Sequence, residues 1–129
     1  MGVLAASAGP DGAAVRRAVL GEAHVDRAQA GATALTAPFQ ALITEGAWGR
    51  VWASDGIPWR ERSMLTLALL AGLGNWDEIP MHVRAAARTG ASPGDLREAL
   101  QHVAIYAGVP RANHALKLVA RTLAEEEGA

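Results

Sequence analysis

The segment from Trp59 to Leu73 restricts the fold more than any other part of this chain. Met64, Leu65, Leu67, Ala68, Leu69, Leu70 and Leu73 put apolar side chains nearly all round a helix. Such a helix has to be covered on most sides, so it is expected at the centre of the fold. A chain of 129 residues supplies few covering helices. Other copies of the chain are therefore expected to complete the core. The first turn of the segment reads Trp59-Arg60-Glu61-Arg62-Ser63. Two arginines at a helix N-terminus run against the macrodipole. They are expected either to hold an anion or to be solvated or paired with Glu61.

The remainder of the chain predicts one all-α domain over residues 13–124. Half the residues are apolar, mostly Ala, Leu and Val, and aromatics make up only 5%. Alanine is the strongest helix former and lets helices approach closely. No strand-like alternation and no internal repeat occurs. The net charge of −1, with acids and bases mixed, gives no nucleic-acid or membrane surface. No apolar run reaches the roughly 20 residues needed to span a bilayer. Residues 1–12 read as a disordered tail and not as a signal peptide, because the opening lacks a basic region and a long apolar one. Residues 125–129 read as an acidic tail. With no cysteine, disulfides, thiolate chemistry and Cys-based zinc sites are excluded. A cytoplasmic location fits this composition.

Punctuation along the chain sets the helix boundaries. Pro10-Asp11-Gly12 precedes a helix starting near Ala13, with Val15, Val19 and Val25 on its apolar stripe and Arg16 and Arg17 among its polar residues. Gly21 is expected to break it. Thr36-Ala37-Pro38 reads as an N-cap with proline in the first turn, followed by Phe39, Leu42, Ile43, Ala47 and Val51 at helical spacing. Trp48 and Trp52 share one face, as core residues or as the wall of a pocket. After Trp59–Leu73, a further helix starts between Trp76 and Pro80 and ends at Gly90, a C′-type glycine. Ser92 is an N-cap with Pro93 at N1 and Asp95 at N3. The stripe behind it is Leu96, Leu100, Val103 and Ala107. Gly108-Val109-Pro110 restarts the chain into a last helix with Ala112, Ala115, Leu116, Val119, Ala120 and Leu123 inward.

Two acid–imidazole pairs stand at i, i+4: Glu78 with His82, and Glu98 with His102. At that spacing side chains are helix-surface neighbours. A carboxylate beside an imidazole raises its pKa and fixes its tautomer, which suits a proton donor near neutral pH. The plainer alternative is a surface salt bridge. His24 and His114 complete the histidines, and no HxH or HExxH spacing points to a metal. There is no GxSxG elbow and no GxGxxG. Gly72-Leu73-Gly74 falls at a helix end, so it is not a dinucleotide loop.

Several stretches together resemble the carboxymuconolactone decarboxylase family. They are Arg60–Ala71, His82–Gly90 and Val103–Asn113, with Ala18–Arg27 and Ala47-Trp48-Gly49 resembling its 4-carboxymuconolactone decarboxylase branch. The resemblance covers about residues 13–124. The wider superfamily includes alkylhydroperoxidase D-like proteins with Cys-x-x-Cys-x-x-x-His. His82 fits that frame, and the two cysteine positions fall on Asn75 and Glu78. Peroxidase chemistry is thereby removed and decarboxylase chemistry remains. Trp76 in the loop and His102, where that branch has glutamine, are departures that bear on substrate identity.

The resemblance implies an alkylhydroperoxidase D-like helical bundle with a central helical hairpin, assembled as a trimer or hexamer. It also implies cofactor-free decarboxylation of 4-carboxymuconolactone to the enol-lactone of 3-oxoadipate. The lactone is its own electron sink, so neither metal nor organic cofactor is required. On this reading His82 is the acid and Glu78 orients it. Arg62, with Arg60, holds a carboxylate, and Tyr106 and Asn113 are pocket donors. The alternatives are a related decarboxylase or isomerase for another lactone or keto acid, and a non-catalytic helical oligomer that binds a small ligand.

Overall fold

The computed structural model describes residues 11–128, and every described element is helical. The tail read over residues 1–10 lies outside the described residues. Chain contacts divide into two units, Met1–Ile57 and Pro58–Ala129.

In the first unit, Asp11 caps α1 (Gly12–Leu20) by accepting the Ala13 amide at 3.1 Å. Gly21 ends α1 with φ of 93°, a backbone conformation that glycine alone adopts without strain. Helix α2 (Glu22–Ala30) follows, tied back by Arg17 to Glu22 and Asp26. Helix α3 (Ala37–Ile43) begins at the predicted proline turn, but Thr36 makes no capping bond there; its hydroxyl accepts the Thr33 amide at 2.9 Å. The chain then widens into a π-helical segment, Thr44–Trp52, where an ordinary helix was expected. Its Gly49 packs against Gly12, so a Cβ on Gly12 would stand 2.9 Å from the Gly49 nitrogen.

Val15, Val19 and Val25 are buried as predicted, and so are Trp48 and Trp52, whose rings lie 5.3 Å apart. Phe39, Leu42 and Val51 are exposed instead of joining them. Arg16 corrects the sequence reading most sharply. Read as polar surface, it is only 7% exposed. Position 16 precedes Leu20 by one turn, so it lies over the buried side of α1.

The second unit is a four-helix arrangement. Helix α4 (Trp59–Leu73) turns at Gly74, in the left-handed region at φ 75°. A 3-10 turn (Trp76–Glu78) leads into α5 (Ile79–Thr89), which stops at Gly90 with φ of 91°. Helix α6 (Pro93–Tyr106) starts with a complete capping box: Ser92 Oγ accepts the Asp95 amide at 3.0 Å and Asp95 accepts the Ser92 amide at 2.9 Å. Helix α7 (Val109–Gly128) takes in residues 125–128 of the stretch read as an acidic tail, the last residue of which lies outside the described residues, and Arg84 reaches Glu126 at 3.5 Å. Leu67, Ala71, Ile79, Val83, Leu96, Leu100, Val103, Ala115 and Val119 form the core. Burying each large member contributes about 1.5–3 kcal/mol.

Helix α4 is not enclosed by the other helices of its own unit. Leu65, Leu69 and Leu73, spaced i, i+4, i+8, remain 54%, 63% and 68% exposed. The buried face is the narrower Ser63, Leu67 and Ala71 stripe. Ala107 is also exposed, because α6 ends at Tyr106 and Ala107 lies past the last helical turn. On α7 the buried residues are Ala112, Ala115, Val119 and Thr122, which leaves Leu116 and Ala120 on an exposed flank.

Candidate active site

Two contacts fix the heights of the predicted site residues along the second unit. Ser63 Oγ lies 2.7 Å from Thr89 Oγ1, so α4 and α5 run antiparallel with those residues level. Arg60 binds Asp95, and the position of Gly72 that a Cβ would fill lies 3.6 Å from the Ala107 Cβ, so α4 and α6 run parallel. His82 lies seven residues before Thr89. At 1.5 Å per residue it stands about 10 Å along the hairpin from the level of Ser63 and about 12 Å from that of Arg62. Glu78, His82 and Tyr106 therefore share the loop end of the hairpin, and Arg60 and Arg62 occupy the other end. The predicted carboxylate clamp is not directly beside the predicted acid within one chain.

His82 is half-buried on α5, with Nδ1 sealed from water. Its stripe continues through Ala85, which is fully buried, to Thr89. Glu78 sits in the 3-10 turn and is exposed. The expected i, i+4 facing assumed a continuous α-helix. The α-helix starts only at Ile79, so Glu78 stands at its N-cap and not within it. A shallow hollow of about 350 Å³ is lined by Gly74, Asn75, Trp76, Asp77 and Glu78, and His82 is not among its lining residues. Trp76 leans out of this loop and meets the His114 ring edge-on at 4.4 Å. That contact gives the unexpected tryptophan a packing role.

Arg60 is committed elsewhere. Its Nε and a terminal nitrogen grip both oxygens of Asp95 at 3.0 and 2.6 Å, and a third nitrogen reaches Glu61 at 2.8 Å. The Arg60 guanidinium, with the Ser92 amide behind it, holds the Asp95 carboxyl down at about 2. The same carboxylates raise the Arg60 pKa. Of the two expectations for Arg60, pairing with acids is the one observed. Arg62 is half-buried. Tyr106 is 79% exposed and stacks on His102 at 4.8 Å. Asn113 is exposed in a groove with Leu100, Ala104 and Ala112. Among the described residues, no three His, Asp or Glu side chains gather in a way that could hold a metal ion.

An all-helical chain with a hairpin of this kind, and a half-buried histidine near its loop, defines a class. The profile of the carboxymuconolactone decarboxylase family matches residues 37–121, and the chain belongs to that family. It is 41% identical to a nitrosuccinic acid decarboxylase of Metarhizium robertsii over 113 residues, covering 88% of this chain and 79% of that protein. It is 40% identical to the 4-carboxymuconolactone decarboxylase of Acinetobacter baylyi over 107 residues, covering 83% of this chain and 80% of that protein.

Proposed function

We propose that the protein is a cofactor-free decarboxylase of small polycarboxylates, with 4-carboxymuconolactone as its first candidate substrate. The observation that most supports this is the 40% identity to a 4-carboxymuconolactone decarboxylase across 83% of the chain. The carbon–carboxylate bond breaks, carbon dioxide leaves, and the electron pair spreads through the ring onto the lactone oxygen as a dienolate. The His82 imidazolium then donates a proton to the carbon beside the lactone carbonyl, giving the enol-lactone, and solvent restores the imidazolium. Arg62 is the candidate cation for the remaining carboxylate. Glu78 and Tyr106 serve at the loop end as polar rim, and Asn113 is a candidate donor from the groove beside Leu100 and Ala104.

A second substrate follows from the equally similar nitrosuccinic acid decarboxylase. Nitrosuccinate has the same logic, two carboxylates and a built-in electron sink, with the nitro group accepting the pair as a nitronate. Both reactions end in protonation at carbon, so the same acid serves either. The exposed stripe Leu65, Leu69 and Leu73, with Ile105, Tyr106 and Val109 at matching heights, supports self-association of the chain as part of this reading.

The test is turnover of each compound by purified protein, with carbon dioxide measured and the product identified by NMR. Turnover of one compound alone assigns the substrate. Failure on both, by folded protein, removes the proposal.

A further inference from the structure

The first unit contains a cation that the decarboxylase reading does not use. Arg16 is 7% exposed, and its side-chain hydrogen-bond partners among the described residues are neutral: Gln40 Oε1 at 3.0 Å and Thr44 Oγ1 at a long 3.4 Å. Its Nε is buried with no hydrogen-bond partner among the described residues. Burial pushes its pKa down, and neighbouring Arg17 adds to the effect. A buried charge without a counter-charge carries a large desolvation penalty.

Arg16 lines an open cavity of about 590 Å³ that lies wholly within this unit, together with Asp11, Gln29, Gln40, Glu45 and Arg50. That volume is within the roughly 300–1,000 Å³ of ordinary small-molecule sites. The hydrogen-bonding capacity of the lining is one-sided. Gln40 turns its oxygen to Arg16, and Gln29 turns its oxygen to Arg17 at 3.0 Å. Arginine only donates, so both amides keep their NH₂ groups available. The two carboxylates of the lining each have a partner of their own: Asp11 caps Ala13, and Glu45 meets Arg50 at 3.5 Å. The lining therefore combines amide donors with one buried guanidinium that forms no ion pair with either carboxylate.

We propose that this cavity is a binding site for a small organic monocarboxylate, its carboxylate on Arg16 and its body against the Gln29 and Gln40 amides. One guanidinium matches one carboxylate, and a second anionic group would meet Asp11 and Glu45. The site is independent of the decarboxylase reading.

The probe is N-acetylglycine, compared with the neutral N-acetylglycinamide and with sodium chloride at equal ionic strength. Binding is followed by calorimetry and by the shift in unfolding temperature of the full chain. The expected result is saturable binding of the acid alone, weakened about tenfold or more in Arg16→Met and less in Arg16→Lys, as loss of a charge-assisted bond implies. Arg62→Met is expected to bind the acid as the parent does. Without ligand, Arg16→Met is expected to unfold at an equal or higher temperature, because an uncompensated charge has been removed. No saturable binding to the parent protein overturns the proposal. So does binding that survives Arg16→Met but is lost in Arg62→Met. If Arg16→Met does not fold, the parent titration and Arg16→Lys decide, and Arg16→Lys binding as tightly as the neutral amide overturns it.

Discussion

Arg60 and Asp95 join the starts of two parallel helices through both ends of a guanidinium fork, at 3.0 and 2.6 Å. Asp95 also closes the capping box of α6 with Ser92. One carboxylate therefore fixes a helix start and the register of its neighbour. Its pKa, held down at about 2 from an ordinary 3.8, gives the sign of the pH dependence. A depressed folded-state pKa contributes stability that is complete above the unfolded value and is lost as pH falls through the folded one. The expected outcome is a fall in unfolding temperature between about pH 4 and pH 2 that is smaller in Asp95→Asn. Calorimetry of both proteins across that window checks it.

Gly12 is held to glycine by contact and not by backbone angle. A Cβ there would strike the Thr44 carbonyl oxygen and stand 2.9 and 3.0 Å from Gly49 nitrogen and Cα. All three neighbours are backbone, so none can rotate away. Gly12→Ala is expected to destabilise by about 1–3 kcal/mol, the usual cost of forcing backbone shifts. Gly46→Ala, where nothing lies within 4 Å of the new Cβ, is the control and is expected to be neutral or slightly stabilising. Urea unfolding of the two variants side by side separates them.

The helix boundaries were legible because their signals are local. Gly21, Gly74 and Gly90 take positive φ where helices were expected to end, and Ser92-Pro93-Gly94-Asp95 forms the capping box its residue types predict. The pattern failed where burial depends on partners distant in sequence. Arg16 differs in sequence from no surface arginine, and only the placement of Gln40 and Thr44 over it makes it buried. Leu65, Leu69 and Leu73 carry a core signature that no part of their own unit covers. Glu78 and His82 were spaced correctly for a helix, but periodicity does not reveal a 3-10 turn inserted before Ile79.

Leu69 sits in the middle of the exposed α4 stripe at 63% exposure. Three leucines of this exposure, with Ile105 and Val109 nearby in height, are costly to leave in water. Leu69→Ser is expected to lower the mass of the parent assembly in light scattering while leaving helicity unchanged, because most of the side chain lies outside the core of its own unit. A parent protein that is monomeric at micromolar concentration would exclude self-association through this face.

His82 and Arg62 stand about 12 Å apart along the hairpin by register, so they are expected to fail in different ways. Removing the acid acts on the proton-transfer step, and His82→Ala is expected to lower kcat by about 10²–10⁴-fold with KM little changed. Removing the cation acts on binding, and Arg62→Met is expected to raise KM about tenfold or more with a smaller effect on kcat. Glu78→Gln is expected to lose less than about tenfold in either constant, because its carboxylate stands in solvent. Steady-state kinetics on whichever substrate turns over measures all three variants. A Glu78→Gln loss as deep as that of His82→Ala would show that the carboxylate swings onto the ring when substrate binds, and that the two act as one unit.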